Sequence, residues 1–379
     1  MFESPPFWMY IIGFPLLLGP LVTVHELGHY LVGRWFGVHA EAFSIGFGSE
    51  LFGWTDKRGT RWRVSALPLG GYVQFKGDMN PASVPDPDAP SDEGSFQSAA
   101  LWKRALIVAA GPVTNLVVAI AILAGFFAIL GKPIYENPEA SATVAYFAEN
   151  SPAKEAGMQV GDVIVAVDGN PTPDFQALVE NVSLYPEQVL TVEVTRDGEP
   201  LEFRIKTLRD KSDDGFGNKG DRGLLGVGPS LEARAYTWQE VPLLQTVPMA
   251  VERCITITRM MITGIKQVVT GQRSIKELGG PVKIGKVAGE RLSLGPVPFI
   301  ELLALISLNL AFINFLPIPA LDGGHLAFYA VEAIQRKPVG PQTTEWAYRT
   351  GIVLLLTFMA VVTFNDVTSL PLIGGLFGS

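Results

Sequence analysis

Val24-His25-Glu26-Leu27-Gly28-His29-Tyr30 carries the pattern H-E-x-x-H. Residues four apart share one face of a helix, so His25 and His29 can present two imidazoles to a single ion. Glu26 stands beside them without needing to ligate, placed to take a proton from a water and hand it to a leaving amine. In a soluble chain this would point to a zinc protease. Here the motif lies in an apolar run: residues 5–24 carry no charge, and the apolar character resumes after His29 and lasts to about Val38. Ionisable groups at membrane depth are costly and mark function by default.

Working outward, the two histidines ask for a partner. A catalytic zinc takes three protein ligands and a water, and the motif supplies two. Six residues beyond His29, where a metzincin places its third histidine, stands Trp35; His39 is out of register, and Glu41 is too near for the usual downstream glutamate. Close to the end of another apolar segment lies Asn314-Phe315-Leu316-Pro317-Ile318-Pro319-Ala320-Leu321-Asp322-Gly323-Gly324-His325. Asp322 is the best acid at membrane depth for a third ligand, and His325 is its rival.

The composition suits several spans and one soluble domain. The chain has 379 residues, 48% of them hydrophobic and only 17% charged, with a mean hydropathy of +0.28. The net charge of −8 argues against nucleic acid as a partner, and the single cysteine, Cys254, excludes an internal disulfide or a cysteine zinc site. Apolar cores at about 7–36, 104–130, 297–320 and 350–372 each reach the ~20 residues that cross a bilayer. The first reads as a span and not a cleaved leader, since no Lys or Arg precedes Arg34. The expected fold is an α-helical polytopic membrane protein with four transmembrane helices. Its segments are 1–38 (first span with H-E-x-x-H), 39–100 (loop), 101–131 (second span), 139–231 (soluble domain), 233–290 (amphipathic, at the membrane surface or packed on the spans), 297–325 (third span) and 346–372 (fourth span).

Lys and Arg crowd the loop after span one and the loop before span four, and are absent from the N-terminal tail and after Arg349. The positive-inside rule then puts both loops in the cytoplasm, and both termini and the soluble domain outside. Within 60–76, Arg61 to Val64 alternate and Pro68-Leu69-Gly70-Gly71 is turn chemistry before Tyr72-Val73-Gln74-Phe75, so a hairpin is expected. Residues 78–95 read as a flexible connector. In the soluble domain, 160–169 read as turn, buried strand and turn, Phe175 to Val182 as a helix, and Leu190 to Thr207 as a hairpin around Arg196-Asp197-Gly198-Glu199, with a polar loop at 209–222.

Six motifs in order resemble the site-2 protease family of intramembrane zinc metalloproteases, and the bacterial RseP-like branch in particular. They are His25-Glu26-Leu27-Gly28-His29, Ser44-Ile45-Gly46-Phe47-Gly48, Pro68-Leu69-Gly70-Gly71-Tyr72-Val73, Gly111-Pro112-Val113-Thr114-Asn115, Gly280-Pro281-Val282 and the block from Asn314 to Gly323. The resemblance covers nearly the whole chain. It implies one zinc per chain on His25, His29 and Asp322, with Glu26 as general base. It implies that Asn314, together with Gly70, Gly71, Tyr72 and Val73 of a membrane-re-entrant β hairpin, holds substrate. The soluble domain resembles a circularly permuted PDZ domain with Gly223, Leu224, Leu225 and Gly226 in its carboxylate loop; one such domain is found where enteric RseP has two. Implied partners are the bilayer and single-pass membrane substrates such as anti-sigma factors, polarity factors or signal-peptide remnants. The implied location is the bacterial inner membrane, with the active site toward the cytoplasm. A silent scaffold is disfavoured by the intact Glu26, and a transporter by the lack of inverted repeats.

Overall fold

A computed structural model describes residues 5–77, 93–135, 142–213, 219–230, 236–274 and 278–368. In chain order the helices are α1 (Phe7–Trp35), α2 (Leu101–Ile129), α3 (Pro152–Glu155), α4 (Phe175–Ser183), α5 (Leu243–Val269), α6 (Pro281–Ser293), α7 (Pro296–Phe315), α8 (Asp322–Gln335) and α9 (Pro341–Thr368). The strands are β1 (Ala40–Thr55), β2 (Arg61–Phe75), β3 (Lys132–Tyr135), β4 (Tyr146–Phe147), β5 (Val163–Val167), β6 (Asn170–Pro171), β7 (Val189–Arg196), β8 (Glu199–Lys206), β9 (Leu208–Asp213), β10 (Lys219–Leu224), β11 (Val227–Gly228) and β12 (Tyr236–Gln239). Among the described residues four helices, α1, α2, α7 and most of α9, are long and apolar enough to cross a membrane. The third stops at Phe315, short of the expected 320, because Pro317 and Pro319 cannot continue it. Most of the connector read at 78–95 lies outside the described residues.

The chain divides into two units, residues 5–123 with 278–379, and residues 124–277 with the first four. In the first, α1 packs on α6 where both helices carry glycine. A Cβ on Gly13 would lie 2.9 Å from Gly289 N, and one on Gly289 would lie 2.9 Å from Tyr10 Cα. The start of α6, the Gly280-Pro281-Val282 motif, is capped from α9: buried Asp366 accepts from Gly280 N at 3.2 Å and Lys283 N at 2.8 Å. Residues 233–290, expected as one amphipathic stretch, therefore divide, with α6 in this unit and α5 in the other.

The hairpin expected within 60–76 is instead one bent strand, β2, and its partner is β1. The register sets Ala42 to Ile45 opposite both Arg61–Val64 and Gly71–Gln74, while Glu50 to Thr55 face Ser65 to Arg61. The reversal sits at Asp56–Thr60, where Asp56 Oδ1 accepts from Arg58 N at 2.8 Å and Thr60 N at 3.1 Å. Gly46 and Gly48, at φ 93° and 91°, let β1 bend to serve both halves of β2. Tyr30, Phe43, Val73, Phe75, Phe96 and Ile107 form the core that seats the sheet on α1 and α2.

In the second unit a four-stranded sheet runs in the order β6-β5-β7-β8. Its core includes Ile164, Val167, Leu178, Val182, Leu190, Val192, Val194 and Ile205. β7 and β8 meet at Arg196↔Glu199 through Asp197 and Gly198, both at positive φ, as the type I′ turn expected from this dipeptide requires. Buried Asp162 takes the Arg196 fork at 2.7 and 2.9 Å. The loop expected at 209–222 contains instead the paired strands β9 and β10, tied by Arg222 Nε to Asp210 Oδ2 at 2.8 Å and by Arg209 to Asp221. Leu225 belongs to the hydrophobic core of this unit. An antiparallel ladder of β3 and β12, Lys132↔Gln239 to Tyr135↔Tyr236, closes the stretch of this unit that holds the four-stranded sheet. α5 docks on its own unit through Arg253 to Glu180 at 3.0 Å and Gln267 Nε2 to Leu184 O at 2.7 Å, and leaves Leu244, Val247, Ile262 and Val269 exposed.

Candidate metal centre

Three segments far apart in sequence converge in the first unit. α1 brings His25, Glu26 and His29, and α2 crosses it closely because neither helix has a Cβ at the crossing. A Cβ on Gly28 would lie 2.6 Å from Ala110 O, and one on Gly111 would run into the His29 ring and lie 2.7 Å from His25 Nε2. The third segment is the chain reversal between α7 and α8. A Cβ on Gly323 would meet Phe315 O at 2.6 Å, and one on Gly324 would meet Pro319 Cα at 2.8 Å, so only glycines let the chain fold back on itself here. Ala320 adopts φ 79°, a strained value for a residue with a Cβ, two residues before Asp322 opens α8. A carboxylate at that position is favoured by the partial positive charge of the helix start.

His25 Nε2 lies 3.2 Å from His29 Nε2 and 3.1 Å from Asp322 Oδ2, and His29 Nε2 lies 3.6 Å from Asp322 Oδ1. All three residues are buried or nearly so. The far side of each ring decides what these atoms offer. His29 Nδ1 is 2.8 Å from Ile107 O, a group that only accepts, so Nδ1 carries the proton and Nε2 a lone pair. His25 Nδ1 is 3.2 Å from the Asn115 side-chain amide, whose Oδ1 has no partner as placed. Exchanging the amide nitrogen and oxygen makes Oδ1 the acceptor of Nδ1–H and frees His25 Nε2 as well. Two lone pairs and a carboxylate then face one another, and Asp322 Oδ2 receives no well-directed hydrogen bond. Bonds of 2.0–2.1 Å to a tetrahedral zinc set ligand atoms about 3.3–3.4 Å apart, so this triangle fits one face of that coordination. The carbonyl and amide behind the rings are the outer partners such ligands use.

The cluster opens on a cavity of about 200 Å³ lined by Glu26, Gly71, Tyr72, Val73, Asn314, Asp322 and His325, among others. Glu26 Oε2 accepts from Val73 N at 3.1 Å, which ties the β2 edge to the motif helix. Asn314 is half-buried and its amide has no hydrogen-bond partner among the described residues. Gly70 is not among the lining residues; its backbone, at φ 118°, sits against the Phe47 ring. Gly223, Leu224, Leu225 and Gly226 belong to the other unit.

Asn115, which closes the motif Gly111-Pro112-Val113-Thr114-Asn115, is a polar partner of His25 that no expectation above assigns to the site. A lone asparagine in an apolar span was the available signal. Tyr348, whose hydroxyl lies 2.6 Å from His325 Nδ1, gave none.

The chain matches peptidase family M50 over residues 13–358. It is 42% identical over 371 residues to a protein of Agrobacterium fabrum named as a zinc metalloprotease, covering 95% of this chain and 96% of that one. A protein of Rhizobium meliloti with the same kind of name is 40% identical over 360 residues, 93% and 95% of the two chains. The metalloprotease MmpA of Caulobacter vibrioides is 32% identical over 402 residues, 98% and 99% of the two chains. With matches of this length and a set of membrane-long apolar helices, the chain belongs to peptidase family M50, the site-2 protease family, and is a membrane zinc metalloprotease.

Proposed function

We propose that His25, His29 and Asp322 hold one zinc per chain and that Glu26 is the general base in hydrolysis of a peptide bond within or near a membrane-spanning segment. The observation that carries this reading is the triangle of lone-pair atoms at 3.1, 3.2 and 3.6 Å with Glu26 on the same helix. Zinc, when bound, supplies the Lewis acid that polarises the carbonyl and acidifies the attacking water. Glu26 takes the proton of that water and delivers it to the departing nitrogen. Asn314, with its unpartnered amide, holds the substrate backbone. Inside lipid an unwound segment needs replacement hydrogen bonds, and the β2 edge at Gly71–Val73 offers them by strand addition. The exposed Leu51, Phe52 and Leu67 at the far end of the sheet support its dipping into the bilayer.

The substrates of this reading are single-pass membrane proteins: an anti-sigma factor, a polarity factor or a signal-peptide remnant. The protein sits in the bacterial inner membrane, with both termini and the inserted domain outside and the site toward the cytoplasm, as the Lys and Arg distribution supports. The inserted domain, a single PDZ-like fold, screens substrates by their outer bulk. Glu26→Gln keeps size and packing but cannot accept the proton. Purified Glu26→Gln is expected to be folded and zinc-loaded, with turnover of a single-pass peptide reduced at least ~10²-fold. Near-normal cleavage would remove Glu26 from the mechanism.

A further inference from the structure

His325 has no part in the reading above, yet it lines the same cavity as Glu26, Asn314 and Asp322. It stands one helical turn after Asp322 on α8, so both side chains leave the same face. The residue is 7% exposed. Its Nδ1 lies 2.6 Å from the hydroxyl of Tyr348 on α9, itself buried, with the two rings 4.9 Å apart. The contact admits two directions, Nδ1–H to the hydroxyl oxygen or the hydroxyl to an Nδ1 lone pair. In the second arrangement Tyr348 O–H donates to Nδ1. A neutral imidazole carries one N–H, which then resides on Nε2. Among the described residues Nε2 has no hydrogen-bond partner, and it is not one of the sealed unsatisfied atoms. In that arrangement Nε2–H is a donor left over at the cavity that His325 lines.

We propose that His325 is a further catalytic residue, whose Nε2–H donates to the oxygen of the scissile carbonyl, and that Tyr348 is the positioning residue that fixes its tautomer. This rests on the reading of Glu26 as the base beside a zinc cluster. As the water oxygen bonds to the carbonyl carbon, the π pair of the C=O moves onto the carbonyl oxygen and the water's proton passes to Glu26. When the C–N bond breaks, that pair re-forms the C=O, and the departing nitrogen takes the proton from Glu26. His325 gains and loses no proton. Its hydrogen bond is strongest while the oxygen is negative, so it favours the transition state over the bound substrate.

The test uses the full-length protein in detergent, with a fluorogenic single-pass peptide that it cuts. His325→Ala is expected to lower kcat by about 10²–10³-fold, the effect of losing one oxyanion donor, with KM within about threefold of the original. Zinc stays at about one per chain. Tyr348→Phe deletes one oxygen, and is expected to lower kcat at least about tenfold by loosening the tautomer. A phosphinic peptide, whose tetrahedral oxygens imitate the oxyanion, should lose affinity in step with kcat/KM across the original protein, Tyr348→Phe and His325→Ala. A merely structural role would not produce that proportionality. The proposal is overturned if His325→Ala sheds its zinc, if KM rises at unchanged kcat, or if phosphinate affinity holds while kcat falls. Should His325→Ala fail to fold, Tyr348→Phe decides, and full activity there overturns the proposal. Failure of the underlying reading has a different signature, retained cleavage in Glu26→Gln.

Discussion

Asp162 and Asp322 are buried aspartates, one in each unit, and they are treated in opposite ways. Asp162 is wholly enclosed and its oxygens are engaged: Arg196 donates to both, and Gln159 N donates to Oδ2 at 2.8 Å. The guanidinium bonded to it holds its carboxyl below the ordinary carboxylate range. Asp322 faces two imidazole nitrogens and has an oxygen with no well-directed donor. Folding has used up the acceptor capacity of the first and kept that of the second in reserve. Burial alone therefore does not separate scaffold from site; saturation of the hydrogen bonds does.

The sharpest way to break this contrast is to remove each side chain in turn. Asp322→Ala is expected to abolish cleavage and leave less than about a tenth of the chains with zinc, by metal analysis of purified protein, because two imidazoles do not make a catalytic site. The helical circular dichroism should be unchanged. Asn115→Leu keeps the volume but strips the outer partner from His25. Zinc affinity, measured by competition with a chelating dye, should fall about 10–100-fold; unchanged affinity would mean that the amide is packing and no more. Asp162→Asn should behave as the mirror image, with full zinc content but a second unit destabilised by about 1–2 kcal/mol in denaturant unfolding, since the part-exposed Arg196 guanidinium loses a charged acceptor. If it lost zinc as readily as Asp322→Ala, the two aspartates would not be different in kind. The smallest effect is in pH. A carboxyl with a depressed folded-state pKa stabilises fully above its unfolded value near ~4 and loses that contribution as pH falls through the folded value. The stability gap between the original protein and Asp162→Asn should thus hold from neutral pH to about 4 and close below it, as calorimetry would show.

How much of this was legible in the sequence depended on how the elements are held. The four spans and the H-E-x-x-H face are local patterns of charge and period; α1 and α2 lie within a few residues of their expected bounds, whereas α7 ends at Phe315 and α9 begins at Pro341, away from the expected 320 and 346. The β7–β8 hairpin was legible too, since Asp197-Gly198 permits few other turns. β9 and β10 escaped because the residues that join them are Arg209, Asp210, Asp221 and Arg222, a cross-strand set of opposite charges with no alternation of apolar residues. β2 was seen but given the wrong partner. Its turn-like residues Pro68 to Gly71 mark a bend inside one strand, and β1, with glycines at Gly46, Gly48 and Gly53, gave no strand period. The site divides the same way. His25, Glu26 and His29 announce themselves, and Asp322 was narrowed by the ligand count but left with His325 as a rival. The contacts of Asn115 with His25 and of Tyr348 with His325 join different helices, and no local pattern encodes them.

The ladder of β3 and β12 has a consequence for the chain as an inheritable object. Because Lys132 pairs with Gln239 and Tyr135 with Tyr236, the stretch of the second unit between β3 and β12 begins and ends at neighbouring points, about 5 Å apart. Everything between is a closed insert whose loop-closure entropy is already met by four paired residues. A deletion, a duplication or an exchange with a foreign domain made at this ladder asks for a short loop and for new partners for Arg253 and Gln267 of α5, and it leaves the segments that carry His25, Asn115 and Asp322 with their own sequence intact. The stretch between β3 and β12 is in this sense a cassette, closed on itself by one ladder of four pairs.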